Sequence, residues 1–107
     1  MAQKNDNSVK SDKDLVEPRN RLDEINIKDL PPDLRAVVDG MGWSTLMPVQ
    51  KKAIPYLRAG RDVMVQSRTG SGKTAAFLIP AIEKTNKDQP HCQTLIMVPT
   101  RELAKQV

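Results

Sequence analysis

The sequence predicts an α/β fold built on a parallel βαβ unit. Two apolar runs, at 62–66 (DVMVQ) and 94–99 (TLIMVP), are too short for helices and have the length of buried strands. An alanine-rich segment of helical length lies between them and begins at Lys73. A strand, a helix and a second strand in this order form a parallel unit with a right-handed connection.

The composition is typical of a soluble protein with a mild excess of positive charge. Of 107 residues, 17 are Lys or Arg and 13 are Asp or Glu, which gives a net charge of +4. Such an excess fits a polyanionic partner, although the same charge also serves solubility. Only Trp43, Tyr56 and Phe77 are aromatic, which argues against a protein that stacks unpaired bases on aromatic platforms; Trp43 is expected in the core. No run of 18 apolar residues occurs, so no membrane-spanning segment is predicted.

Residues 1–22 are predicted to form a disordered tail, because they are polar and lack periodicity. The tail has no apolar core of a secretory signal, and we therefore expect a cytoplasmic protein. The single cysteine, Cys92, has no disulfide partner within the chain, which agrees with a reducing compartment. Neither Cys92 nor His91 has neighbours at metal-ligand spacing, and both are interpreted as ordinary residues between a loop and a strand.

The first helix is predicted in the segment DLPPDLRAVVDGMGW. It starts at Pro31 and Pro32, which the first turn of a helix tolerates, and it ends at Gly40 or Gly42. One face of this helix carries its apolar side chains: Leu34, Val37 and Val38.

Two further helices are predicted from local signals. One covers 49–59 with Gly60 as a left-handed cap, and Pro55 inside it is expected to kink the helix or divide it into two turns. The other is RELAKQV, at 101–107, which Thr100 caps.

The helix between the two apolar runs is predicted to pass through Pro80. A strand of about six residues is about 20 Å long, and a helix that returns over it needs about thirteen residues. The helix therefore has to extend from Lys73 to about Thr85, with a kink at Pro80.

The turn before this helix has the sequence of a phosphate-binding loop. Gly70 and Gly72 allow successive N–H groups to point toward one place, and the helix that starts at Lys73 adds the positive end of its dipole. Lys73 would reach the β- and γ-phosphates of a nucleoside triphosphate, and the Thr74 hydroxyl would bind Mg²⁺. The full pattern G-x-x-x-x-G-K-[ST] is not met, because Ser67 holds the position of its first glycine. The alternative is a glycine-rich turn that binds no ligand.

Three motifs in order resemble those of a known family. SRTGSGKTAAFLIPAI resembles motif I of the DEAD-box RNA helicases, in which alanine is common at the position of Ser67. VPTRELAKQV is similar to their motif Ia, and GMGWSTLMPVQ, which ends at Gln50, resembles their Q motif. The resemblance covers residues 25–107 and implies a partial RecA-like P-loop domain, an incomplete three-layer sandwich. Residues 23–107 would be the N-terminal part of the ATP-binding domain, truncated before the DEAD motif.

The resemblance implies ATP and Mg²⁺ as cofactors. A planar amide matches the N6 and N7 groups of adenine, so Gln50 would select ATP; the alternative is a polar residue on an exposed helical turn. Ile25 stands where the family has an aromatic side chain against the base. The loop supplies the remaining nucleotide contacts: Ser67, Arg68, Thr69, Gly70, Ser71, Gly72, Lys73 and Thr74. Lys73 and Thr74 are the candidate catalytic residues, with Thr74 also the metal ligand, whereas a solvated charge is the simpler interpretation of Arg68.

Motif Ia is the candidate RNA contact. By resemblance, four residues would hold the phosphates of an RNA backbone irrespective of base sequence: Pro99, Thr100, Arg101 and Glu102. Arg101 lies in the first turn of the predicted helix, where a cation opposes the helix dipole. The alternative is that Arg101 is exposed to solvent and binds no phosphate, since its unfavourable interaction with the helix dipole is small.

The sequence therefore predicts the N-terminal fragment of an ATP-dependent RNA helicase, with ATP and RNA as its partners. Hydrolysis needs an acidic metal ligand, a positioned water and usually an arginine finger. The family's residues for these roles would follow Val107, so the 107-residue chain alone is expected to be inactive. Two alternatives stay open: a non-catalytic nucleotide- or RNA-binding module, and another P-loop ATPase of the DNA-helicase type.

Overall fold

The computed structural model describes residues 18–107, and all regular structure within that range is helical. Four α-helices follow one another: α1 (Pro32–Gly40), α2 (Pro48–Arg58), α3 (Lys73–Lys84) and α4 (Arg101–Gln106). A short 3₁₀ turn, Ile27–Asp29, precedes α1. Most of the predicted tail, residues 1–17, lies outside the described residues.

The core draws one apolar side chain from each of five parts of the chain: Leu30, Val38, Leu46, Ile54 and Ile79. Leu46 and Ile54 are the most deeply buried, with 1% and 0% of their surface exposed. Burying one such side chain contributes about 1.5–3 kcal/mol. The core therefore joins α1, α2 and α3 into one unit, and this unit fixes the place where α3 begins.

α1 confirms the first predicted helix, since it starts at a proline and ends at a glycine. Of its predicted apolar face, Val38 is buried and Leu34 is half-buried, whereas Val37 is 57% exposed. Only part of that face therefore points into the core. Trp43 follows the helix and packs against the core, as predicted.

α2 confirms the second predicted helix, but it runs through Pro55 without a division. Gly60 follows with a φ of +76°, the predicted left-handed cap. Proline has no N–H, so the carbonyl one turn earlier, that of Lys51, has no helical donor. The backbone N–H of Ile25 donates to this carbonyl at an N···O distance of 3.3 Å. A residue outside the helix therefore satisfies the acceptor that the proline leaves open.

α3 and α4 also agree with the sequence. α3 passes through Pro80 and ends at Lys84, close to the predicted end. α4 follows Thr100, whose hydroxyl oxygen accepts a hydrogen bond from the N–H of Leu103 at 3.2 Å, so the predicted cap is confirmed. No helix within residues 18–107 is both long and apolar enough to cross a lipid bilayer.

The two predicted strands are absent, so the α/β prediction is wrong for the described structure. Neither 62–66 nor 94–99 forms a strand, and within residues 18–107 there is no parallel βαβ unit and no three-layer sandwich. Both runs are largely exposed; Met64 is 98% and Met97 is 85% exposed. A strand requires hydrogen bonds to a neighbouring segment, and no described segment pairs with either run. Apolar, β-branched composition indicates a preference for a sheet but does not supply the partner.

Candidate nucleotide-binding site

The loop of residues 67–72 is a tight turn that leads directly into α3. The N–H of Ser71 donates to the carbonyl of Arg68 at 3.1 Å. Gly70 and Gly72 have φ angles of +78° and +87°, in the left-handed region that favours glycine. Because α3 begins at Lys73, the free N–H groups of its first turn point toward the loop.

The Lys73 side chain crosses the loop. Its ammonium donates a hydrogen bond to the backbone carbonyl of Ser67, at the far end of the turn. An ammonium has three N–H donors, and this contact uses one of them. Thr74, in the same helical turn as Lys73, is exposed. A cation with donors to spare and an exposed hydroxyl therefore lie at the start of α3.

Within residues 18–107, the hydroxyl of Ser71 is the one buried side-chain oxygen or nitrogen that has no hydrogen-bond partner. A buried polar group without a partner costs about 1–3 kcal/mol. This hydroxyl lies next to the N-terminus of α3 and in the loop that Lys73 spans, where an anionic ligand rich in oxygen would supply acceptors. The residues present therefore fit a polyphosphate group.

Gln50 is buried and connects α2 to the loop. It is 1% exposed, so the alternative of a polar residue on an exposed turn does not hold in the structure. Its Nε2 donates to the carbonyl of Gly72 at 3.2 Å, and its Oε1 accepts from the N–H of Met47 at 2.9 Å. The amide thus fixes Gly72 relative to the start of α2, while its contact with a base stays a prediction.

Ile25 reaches α2 one residue beyond Gln50, through its hydrogen bond to the Lys51 carbonyl. Its side chain is half-buried against the core. The structure therefore brings Ile25, Gln50 and the loop into one continuous region. Arg68 and Thr69 are exposed, which suits a solvated charge at Arg68 as well as a ligand contact.

The four motif Ia residues, 99–102, are all exposed. Thr100 uses its oxygen to cap α4, which leaves its hydroxyl hydrogen for another acceptor. The exposure of Arg101 is compatible with a phosphate contact and with a solvated arginine. Their assignment to RNA remains a prediction from the resemblance.

His91 and Cys92 are exposed, as expected for residues of a loop. Cys92 is a free thiol whose Sγ lies 3.5 Å from the carbonyl oxygen of Thr94. Among residues 18–107, no group of three or more His, Cys, Asp or Glu side chains is placed to hold a metal ion. The assignment of Thr74 as a Mg²⁺ ligand stays a prediction.

Two side chains that contact the N-terminal segment were not among the sequence candidates. The hydroxyl of Tyr56 accepts a hydrogen bond from the N–H of Leu22 at 3.1 Å, and Arg61 donates to the carbonyl of Asn20 at 3.0 Å. These partners are 34 and 41 residues apart in the chain, so no local pattern predicts them. Pro55 signals only the neighbouring contact of Ile25 with Lys51, because a proline inside a helix leaves one carbonyl open to an outside donor.

Comparison with known proteins identifies the family. The family described as DEAD/DEAH box helicase matches residues 47–107. The chain is 47% identical over 87 residues to the probable ATP-dependent RNA helicase ddx6 of Dictyostelium discoideum, covering 81% of this chain and 20% of that protein. It is 46% identical over 86 residues to the ATP-dependent rRNA helicase SPB4 of Saccharomyces cerevisiae, covering 73% and 14%. It is 44% identical over 87 residues to the ATP-dependent RNA helicase DeaD of Haemophilus influenzae, covering 79% and 14%.

The chain belongs to the DEAD/DEAH box helicase family, whose match includes the loop, Gln50 and motif Ia. The chain spans 14–20% of the length of these three relatives. The activities in their names are those of the longer proteins.

Proposed function

We propose that the chain binds Mg·ATP at residues 67–74 and RNA at residues 99–102, as part of an ATP-dependent RNA helicase. The observation that carries the proposal is the loop directly before α3, in which the Ser71 hydroxyl has no partner and the Lys73 ammonium bonds across the turn to the Ser67 carbonyl. Family membership supports the same class of reaction, since the relatives named above are ATP-dependent RNA helicases.

The loop residues would hold the polyphosphate. Lys73 would exchange the carbonyl of Ser67 for phosphate oxygens, with which an ammonium makes stronger, charge-assisted hydrogen bonds. Ser71 would donate its unpaired hydroxyl, and the backbone N–H groups of the loop would point at the same anion. The exposed Thr74 hydroxyl would take one coordination position of Mg²⁺, whose charge neutralises the phosphate oxygens when it is bound.

Gln50 and Ile25 would contact the adenosine. Beyond the groups that bond to Gly72 and Met47, the Gln50 amide has one further N–H and one further lone pair. These match the donor and acceptor of adenine, whereas guanine presents two acceptors at the corresponding edge. Because the Gln50 side chain is 1% exposed, contact with a base requires it to move out of its present packing. The pairing would then favour ATP over GTP, with Ile25 in apolar contact with the base.

RNA would contact the exposed residues at the start of α4. Arg101 is exposed and the chain carries a net charge of +4, both of which favour a polyanion. Contacts to phosphates carry no sequence information, so the proposed binding does not depend on base sequence. A cytoplasmic location is part of the proposal and rests on the free thiol of Cys92, which suits a reducing compartment.

Isothermal titration of the 107-residue chain with Mg·ATP tests the nucleotide site. Lys73→Ala should weaken binding by about 10- to 100-fold, because a hydrogen bond to a charged group contributes about 1.5–3 kcal/mol. Lys87→Ala is the matched control, since Lys87 is an exposed lysine in the connection after α3. It should bind ATP as tightly as the unchanged chain.

Two results would refute this assignment. Unchanged affinity in Lys73→Ala would remove the phosphate site. Equal affinities for ATP and GTP would leave Gln50 without a role in base selection.

A further inference from the structure

The segment of residues 20–25, which we call the docking segment, is attached through its backbone groups to α2 and to Arg61, just after α2. At its end, the N–H of Ile25 donates to the Lys51 carbonyl at 3.3 Å. This carbonyl is available because Pro55, one turn later in α2, lacks the N–H that would otherwise occupy it. The internal proline of α2 thus creates the acceptor to which the docking segment binds.

Tyr56 and Arg61 hold the beginning of the docking segment. The Tyr56 hydroxyl accepts from the N–H of Leu22 at 3.1 Å. Arg61 donates from Nη1 to the carbonyl of Asn20 at 3.0 Å, and its guanidinium carbon lies 5.5 Å from the centre of the Tyr56 ring. At that distance a guanidinium is attracted by the ring face. One tyrosine therefore holds the segment by its hydroxyl and orients the arginine by its ring.

The docking segment is connected to the candidate site through α2. Ile25 is bonded to Lys51, which follows Gln50 in α2, and the Gln50 amide donates to Gly72 in the loop. In the three hydrogen bonds to Asn20, Leu22 and Ile25, the docking segment contributes backbone N–H and C=O groups, and the side chains involved are those of Tyr56 and Arg61. The position of Ile25 beside Gln50 is thus linked to Tyr56 and Arg61.

We propose that Tyr56 and Arg61 are positioning residues for the adenosine end of the nucleotide site, because they hold the docking segment so that Ile25 lies against the base. This inference rests on the proposed binding of ATP at the loop. Tyr56 and Arg61 act through the docking segment and have no role at the phosphates. Replacing either residue therefore lowers the affinity for ATP and leaves the affinity for a polyphosphate without adenosine unchanged.

Titration of the 107-residue chain with Mg·ATP and, separately, with Mg·tripolyphosphate tests the proposal. Tyr56→Phe removes only the hydroxyl and should weaken ATP binding by about three- to tenfold, the effect of one hydrogen bond. Arg61→Ala should act in the same direction. Tripolyphosphate should bind both variants as it binds the unchanged chain, which also shows that the variants are folded.

Arg35→Ala is the matched control. Arg35 also donates to a backbone carbonyl, that of Lys28 at 3.4 Å, but that carbonyl lies outside the docking segment. This variant should bind both ligands normally.

Three results would overturn the inference. The first is unchanged affinity for ATP in Tyr56→Phe and Arg61→Ala. The second is an equal loss of affinity for ATP and for tripolyphosphate, because it would mean that the two side chains stabilise the fold in general. The third is an unchanged chain that binds ATP no more tightly than tripolyphosphate, which would remove the adenosine subsite but leave the phosphate site intact. A chain that binds neither ligand would instead refute the proposed function, and the inference with it.

Discussion

Gly72 is the residue on which both the loop and its link to α2 depend. Its φ of +87° is one that side chains rarely allow. Its carbonyl accepts from the Gln50 amide at 3.2 Å and from the N–H of Ala76 at 3.2 Å, the first hydrogen bond of α3. A Cβ at this position would lie 2.5 Å from Gln50 Nε2. Glycine is therefore required by the backbone angle and, separately, by the approach of Gln50.

We expect Gly72→Ala to lower the free energy of unfolding more than Gly70→Ala. Both variants place a side chain in the left-handed region, at about 1–2 kcal/mol each. A Cβ at Gly70 meets nothing within 4 Å, whereas a Cβ at Gly72 displaces the Gln50 amide. Urea denaturation measures the two losses.

The double variant Gly72→Ala with Gln50→Ala isolates the contact. It should be more stable than the sum of the two single losses predicts, because the clash occurs only when both side chains are present. Equal losses in the two glycine variants, with simple additivity in the double variant, would show that Gln50 does not approach Gly72.

The sequence indicates which side chains gather at the loop better than it indicates what they touch. Gln50 is expected to contact adenine, and its observed partner Gly72 is 22 residues away in the chain. The bond from Lys73 to Ser67 is likewise not apparent from the motif. Motif spacing predicts which residues share one turn or one loop. The contact of Gln50 with Gly72 depends instead on how α2 packs against α3, which motif spacing does not predict.

At the scale of elements, α2 and α3 pack against each other and are joined near their C-terminal ends. Arg58 Nε lies 3.1 Å from both carboxylate oxygens of Glu83, and Arg58 Nη2 lies 3.0 Å from one of them. The same Nη2 donates to the Asp29 carbonyl at 3.3 Å, and Lys84 Nζ donates to the Leu57 carbonyl at 2.6 Å. These bonds hold α3, and with it the end of the loop, against α2 and the 3₁₀ turn.

We expect Glu83→Gln to destabilise the chain by about 1 kcal/mol, the upper end of the range for ion pairs in contact with water. The Arg58 and Glu83 side chains are 28% and 16% exposed, so water screens the pair only in part. Glu24→Gln, at an exposed glutamate outside the helices, is the control and should leave stability unchanged. Urea denaturation measures the free energy of unfolding of both variants. Equal losses would mean that the ion pair of Arg58 and Glu83 makes no specific contribution to stability.

Helices and strands differ in how far the sequence determines them. The helices depend on nearby signals, such as Pro32 at the start of α1, Gly60 after α2 and Thr100 before α4, and all were predicted. The runs at 62–66 and 94–99 carry an equally clear pattern, yet neither forms a strand. A helix makes its hydrogen bonds within itself, whereas a strand makes them with another segment, which its own residues do not specify.

At the scale of the whole molecule, the described chain is a helical core with two exposed apolar runs. The core joins α1, α2 and α3, and the glycine loop is attached to it through Gln50 and α3. Leu95, in the second run, is 80% exposed, whereas Leu46 in the core is 1% exposed. The stability of the chain should therefore depend on the core and very little on the two runs.

The substitution Leu→Ala at positions 46 and 95 tests this division with the same chemical change. Leu46→Ala should cost about 2–5 kcal/mol, because it removes a buried side chain and leaves a cavity. Leu95→Ala should change stability by less than about 0.5 kcal/mol, since a surface substitution removes few contacts. Thermal and urea denaturation of both variants measure the difference. A large loss in Leu95→Ala would mean that the second run is buried in solution, and the helical core would then not be the only source of stability.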